Sequence, residues 1–70
     1  MRVRVDHKAD AVYLNLTDRE IVESEEVADG IVVDYDAEGR IVGLEILDAS
    51  RRTGDPCVLK QFSFDLPPAS

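Results

Sequence analysis

The stretch "IVVDYDAEGRIVGLEIL", residues 31–47, decides the fold. Isoleucine and valine dominate on both sides of a short acidic segment that ends in glycine, and such β-branched residues favour strands. The segment Asp36–Gly39 is a structural turn in this interpretation, because Gly39 supplies the positive φ that closes a hairpin. The sequence therefore predicts two antiparallel strands joined by a four-residue loop, with Asp34 facing Ile41.

The same stretch resembles a calcium-binding EF-hand loop. From Asp34 to Glu45 the acidic and glycine positions match that pattern except at Glu38. An EF-hand loop lies between two helices, however, whereas strand residues flank this one. In the predicted hairpin, Glu45 lies four residues beyond the partner of Asp34, about 13 Å away, and calcium ligands lie at about 2.4 Å from the ion. We therefore expect neither calcium nor any other cofactor at this loop.

Alternation of apolar and polar residues predicts further strands. They are "RVRVD" (2–6), "AVYLNL" (11–16), "IVESEEV" (21–27) and "QFSFDL" (61–66). The stretch "DASRRTG" predicts one short helix or turn near 48–54, with Asp48 as the N-cap and Gly54 at its end. The expected fold class is mainly β, or α+β at most: a small antiparallel meander of five to six strands. It forms a single domain over residues 1–66, followed by a frayed tail at 67–70.

The two faces of the central hairpin suggest how the domain associates. One predicted face combines Ile31, Val33 and Tyr35 with Val42, Leu44 and Ile46. The other carries charged residues but also aliphatic ones, whereas a sheet with one face in water alternates more cleanly. We therefore expect a cover over this second face, supplied by residues 48–66 or by a second copy of the chain. A glycine in mid-strand allows another backbone to approach closely. The predicted homodimer interface consists of Val32, Ile41, Gly43, Leu47 and Tyr13.

Composition narrows the classes of function. The chain has 70 residues, one cysteine and one histidine, so it has no internal disulfide and no Cys/His zinc site. Its net charge is −7, with scattered basic residues, and this disfavours nucleic acid and favours a basic protein partner. No 18-residue apolar run and no signal sequence is present, so we expect a cytoplasmic protein that neither spans a membrane nor is secreted.

Catalysis has little support in the sequence. Fifteen carboxylates produce pairs by chance, and a catalytic pair needs two environments that separate the pKa values. The alternative to a binding role is a small metal-dependent or acid–base enzyme that uses Asp34, Asp36 and Glu45. Cys57 lacks an activating histidine, since His7 lies in a distant turn, and is expected to be a half-buried packing thiol. The favoured interpretation is a non-enzymatic protein-interaction module, antitoxin-like or regulatory, that acts as a homodimer.

Three motifs resemble a known family. The segments "ADAVYLNL", "ESEEVADGIVVDYDAEGRIVGLEILDAS" and the following "RR" are similar to the small prokaryotic family called domain of unknown function 2283, over about residues 5–52. Val5 stands where that family often has tyrosine, and the C-terminal "TGDPCVLKQFSFDLPPAS" departs more freely. The resemblance implies a small, mainly antiparallel β fold and no catalytic residue. It also implies, for some members, an antitoxin role beside small toxin-like proteins.

Overall fold

The computed structural model describes residues 1–69. It contains a five-stranded antiparallel sheet, a short helix and a 3-10 turn, which confirms the predicted mainly β fold class. The strands and helices are β1 (Arg2–Asp6), β2 (Ala11–Asn15), β3 (Glu23–Ala28), β4 (Ile31–Tyr35), β5 (Ile41–Ile46), α1 (Ala49–Thr53) and the 3-10 turn Val58–Lys60.

The strand order in the sheet is β1-β2-β5-β4-β3. The hairpin β1–β2 and the meander β3–β4–β5 each follow chain order, and the pairing of β2 with β5 joins them. The link between β2 and β3 therefore crosses the end of the β4–β5 hairpin. It is fixed there at both ends, because the Leu16 N–H donates to the Val42 carbonyl at 2.8 Å and the Val22 N–H donates to the Tyr35 carbonyl at 2.9 Å.

The β4–β5 hairpin has a tighter loop than predicted. The Asp36 N–H donates to the Arg40 carbonyl at 2.9 Å, so these two residues belong to the ladder and the loop has three residues. Gly39 has φ +77°, which confirms the predicted positive φ. A bulge then shifts the register, and Asp34 pairs with Gly43 instead of the predicted Ile41. That register was wrong by two positions. The shorter loop moves every partner by one position, and the bulge, an unpaired residue that alternation does not reveal, moves the partner of Asp34 by one more.

One face of the sheet is aliphatic across four strands, and we call it the apolar face. It contains four of the six hairpin residues that were predicted to share one face. Eight residues in two directly paired rows form it. Only Val33 of these residues is buried, and the other seven are half-buried. The core is correspondingly small, with Val42 as its one fully buried large side chain among the described residues. The two rows are Val3, Leu14, Leu44, Val33 and Val5, Val12, Ile46, Ile31.

Helix α1 is held at one end of the sheet by a cap from the β1–β2 turn. The Asp10 carbonyl accepts from the Ala49 N–H at 2.8 Å, and its carboxylate accepts from the Ser50 hydroxyl at 2.7 Å. Asp48 occupies the N-cap position, as predicted, but it has a left-handed φ of 53° and no side-chain cap bond, and its carboxylate contacts Arg51 instead. Gly54 ends the helix at φ 71°, as predicted.

A second contact fastens α1 to the β3–β4 turn. The Arg52 guanidinium lies over Gly30, where a Cβ atom would come within 2.3 Å of it. The Leu47 N–H donates to the Gly30 carbonyl at 2.8 Å, and Arg52 Nε donates to the Leu47 carbonyl at 2.8 Å. Arg52 is thus a structural residue, and Gly30 provides the space that its side chain needs.

The sixth strand expected at 61–66 is absent, because these residues pair with no strand of the sheet. Alternation supplied the pattern, but a strand also needs a partner edge, and within residues 1–69 this segment has none. Its apolar side chains Phe62, Phe64 and Leu66 are exposed. Cys57 is exposed as well, so its expected half-burial was wrong. Ser70, the last residue of the predicted 67–70 tail, lies outside the described residues.

Candidate functional site

The polar face of the sheet is organised around the carboxylate of Asp34, which is only 7% exposed. The Tyr13 hydroxyl donates to its Oδ2 at 2.8 Å, and the Ser24 hydroxyl donates to its Oδ1. These three residues belong to three different strands, β4, β2 and β3. A buried carboxylate is stable when hydrogen bonds replace its lost water, and here two hydroxyl donors do so.

The absence of a side chain at Gly43 makes this network possible. Gly43 lies in β5, directly opposite Asp34 in β4 and Asn15 in β2. Tyr13 crosses over it to reach the carboxylate, and a Cβ atom on Gly43 would lie 2.4 Å from the tyrosine oxygen. The space that the sequence assigned to the backbone of another copy is therefore filled by a side chain of the same chain.

Tyr13 is held at its ring as well as at its hydroxyl. The Arg4 guanidinium lies over the ring at 5.1 Å from its centroid, a cation–π arrangement. Burial raises the pKa of Tyr13, and its hydrogen bond to Asp34 raises that pKa further. The phenol therefore stays protonated and remains a donor at neutral pH.

An open hollow of about 690 Å³ lies beside the network. It is lined by charges of both signs and by aliphatic side chains, among them Arg4, His7, Glu45 and Leu47. Glu45 is two residues along β5 from the partner of Asp34, so the two lie about 7 Å apart. The predicted separation of about 13 Å was too long, because it assumed a four-residue loop and no bulge. Within residues 1–69, no three His, Cys, Asp or Glu side chains are arranged to hold a metal ion.

Asp36 lies apart from this network and holds the crossing link on the hairpin. Its carboxylate contacts Arg19 Nε at 2.7 Å and Arg40 Nε at 3.0 Å, and it accepts from the N–H groups of Arg40 and Glu38. The Arg40 backbone N–H is the main cause that lowers the pKa of Asp36 to about 2, and the Glu38 N–H and the Arg40 guanidinium lower it further. Asp36 thus lies in surroundings separate from those of Asp34 and Glu45, which both line the hollow.

The predicted interface residues fall into two groups. Tyr13 and Gly43 take part in the Asp34 network. Val32 and Leu47 are half-buried, whereas Ile41 is 50% exposed. In the observed register Ile41 pairs with Tyr35, which groups it with the end of the apolar face. Sequence reasoning missed Ser24, Arg19 and Asp10 as contact residues, because their partners lie in distant strands and loops.

Comparison with known proteins gives a family. Among residues 1–69 no helix is long and apolar enough to cross a membrane. No curated protein and no solved structure matches the chain. The model of the family described as "Protein of unknown function (DUF2283)" matches residues 2–50, which include all five strands and the start of α1. The resemblance seen in the sequence motifs is therefore confirmed, and the chain belongs to the DUF2283 family.

Proposed function

We propose that this chain is a non-catalytic protein-interaction module that acts as a homodimer in the cytoplasm. The observation that carries the proposal is its surface. The chain exposes 5385 Å², whereas a compact monomer of 7.8 kDa exposes about 4,400 Å². A domain of this kind gains stability when a second molecule covers part of that surface.

The flat shape of the chain supports the proposal that a second molecule supplies a layer of the fold. Its extents are 37 × 36 × 18 Å, and stable domains consist of at least two packed layers around a core. The apolar face has seven half-buried aliphatic residues. Helix α1 packs mainly against the 3-10 turn, so the C-terminal residues leave that face partly open.

A second copy is the occupant that fits this face best. Two identical apolar faces complement each other about a two-fold axis, and such contacts are the commonest in homo-oligomers. Stacked sheets lie about 10 Å apart and form a shared core. A stable interface takes about 800 Å² from each partner, and the broad face of this sheet is large enough to supply it. Ile41 lies at its margin and remains a predicted contact.

The experiment compares two substitutions that place a charge on equally exposed aliphatic residues. Ile41 and Val27 are each 50% exposed, but Ile41 pairs with Tyr35 at the margin of the apolar face, whereas Val27 is the unpaired bulge residue of β3. In sedimentation equilibrium, Ile41→Asp should weaken the dimer at least about tenfold, whereas Val27→Asp should leave its dissociation constant unchanged. Equal effects of the two variants would contradict this assignment.

Within the same proposal, the dimer presents acidic edges to a basic protein, in an antitoxin-like or regulatory role. Glu23, Glu25 and Glu26 are all exposed on the edge strand β3, and opposite charges steer and orient association. The cytoplasmic location fits the exposed thiol of Cys57, which stays reduced there. Affinity capture with wild type should retain a small basic protein that the triple glutamate-to-glutamine variant does not. Equal capture by both proteins would exclude the β3 edge as its site.

A further inference from the structure

We infer that residues Gln61–Leu66, which we call the C-terminal arm, add as a sixth strand to the β1 edge of a second copy. This inference rests on the proposed homodimer and names the elements that join its two chains. In the described structure the arm is exposed along its whole length and pairs with no strand. Gln61, at its start, has the extended backbone angles φ −128° and ψ 108°.

The arm has the composition of a half-buried strand. Phe62, Phe64 and Leu66 are spaced by two residues and would share one side of an extended chain, with Ser63 and Asp65 on the other. The three apolar side chains are 52%, 67% and 87% exposed. A contiguous exposed apolar surface of this kind marks a site of contact. Six residues are also the usual length of a strand.

The β1 edge is complementary to the arm on both faces of the sheet, through apolar residues on one face and opposite charges on the other. β1 is the outermost strand beyond β2, and its Val3 and Val5 belong to the apolar face. An arm paired with β1 would place Phe62, Phe64 and Leu66 beside these valines and extend the apolar face. The same pairing would bring Asp65 beside the exposed Arg2 and Arg4, and opposite charges on neighbouring strands stabilise the pair.

The other edge of the sheet is a poor match. On β3, Glu25 pairs with Val33 and Glu23 pairs with Tyr35, so carboxylates occupy the positions that would meet the phenylalanines. Glu26, which pairs with Val32 on the polar face, would repel Asp65 of the arm. Charge and polarity therefore select β1 over β3 as the strand that receives the arm.

Exchange between copies follows from the symmetry of a two-fold dimer. Each chain has one free arm and one free β1 edge, so two copies can satisfy both in a reciprocal way. Stacking of the apolar faces leaves the sheet edges open. Arm addition is therefore compatible with the proposed face contact, and it adds main-chain hydrogen bonds in the manner of strand addition to a sheet edge.

The test uses the full chain in a mixture of isotope-labelled and unlabelled copies. An isotope-filtered nuclear Overhauser experiment detects only contacts between labelled and unlabelled molecules. It should show contacts from the Phe64 ring to the methyl groups of Val3 or Val5. Contacts found only within a single labelled chain, or no contacts between these groups, would overturn the exchange of arms.

Two variants of neighbouring arm residues separate this inference from the homodimer itself. Phe64→Asp should weaken the dimer at least about tenfold, whereas Ser63→Asp, on the other side of the arm, should not weaken it. A wild-type dimer that tolerates Phe64→Asp would overturn the arm exchange and leave the homodimer standing. A wild-type monomer would overturn both.

Discussion

The Tyr13 hydroxyl donates a 2.8 Å hydrogen bond to the Asp34 carboxylate across an intervening strand. The bond links β2 to β4 over Gly43 of β5, and Ser24 extends the link to β3. One buried carboxylate thereby connects three strands and spans a fourth. In a chain with so small a hydrophobic core, this network helps to fix the register of the sheet.

Gly43→Ala should destabilise the fold, although alanine normally suits a strand better than glycine does. The new Cβ atom would lie 2.4 Å from the Tyr13 oxygen, so the ring must move and the buried carboxylate loses a donor. We expect a loss of about 1–3 kcal/mol in the free energy of unfolding, measured by denaturant titration. In a Tyr13→Ala background the same substitution should cost less, because the tyrosine ring is gone and the Leu14 carbonyl, at 3.0 Å, is the remaining close neighbour of the new Cβ atom. A cost of equal size in both backgrounds would contradict this explanation.

The pKa of Tyr13 should lie above its ordinary value of 10.0, because burial and the bond to Asp34 both favour the protonated phenol. The protonated Tyr13 phenol contributes to the free energy of unfolding below its ordinary pKa, and this contribution is lost as pH rises through the raised pKa. The chain has two tyrosines, so a Tyr35→Phe variant isolates the tyrosinate absorbance of Tyr13. Asp34→Asn should shift that titration toward lower pH. An unchanged midpoint would show that the Asp34 charge does not act on Tyr13.

Acid should destabilise the protein through Asp36. The folded pKa of about 2 lies below the ordinary 3.8, so this carboxylate stabilises the fold above pH 3.8 and loses that effect as pH falls through 3.8 toward 2. Asp36→Asn should lower the melting temperature at pH 7 and flatten its decline in this window. Asp18→Asn, which removes the same charge from the exposed link, serves as the control. Parallel declines of wild type and Asp36→Asn would contradict the role of Asp36.

Helix α1 should depend on a cap that lies far away in the sequence. Asp10→Ala removes the acceptor for the Ser50 N–H and hydroxyl, and a lost cap in so small a domain should lower the melting temperature by about 4–8 °C. Asp48→Asn keeps a residue that tolerates the left-handed backbone and should change little. If Asp48→Asn proves the more harmful substitution, the assignment of the cap to Asp10 is wrong.

The sequence predicted the elements of this fold better than their contacts. Periodicity marks each strand locally, and Gly39 marks the hairpin through its positive φ, so these features could be predicted. The shorter hairpin loop and the bulge in β5 leave no such signal, and together they shifted the partner of Asp34 from Ile41 to Gly43. Register at a bulge depends on packing with neighbouring strands, which periodicity does not encode.

The candidate site was only partly predictable for a related reason. Tyr13, Gly43 and Asp34 were each singled out in the sequence, but with separate roles, and nothing local indicates that β2 lies beside β5. Once the strand order is known, the pattern can be interpreted. Gly43 lies opposite Asp34, and Tyr13 lies on the next strand, β2. The cap of Asp10 on Ser50 joins residues 40 positions apart, a distance beyond the range of any local capping rule.

Sedimentation equilibrium of the wild-type chain at micromolar concentration tests the homodimer most directly. The proposed homodimer should have a mass of about 16 kDa, twice the chain mass of 7.8 kDa. Because each copy carries a net charge of −7, the dimer should also tighten as added salt screens the repulsion. A protein that stays a folded monomer of 7.8 kDa at micromolar concentration, at low and at high salt, would contradict the homodimer.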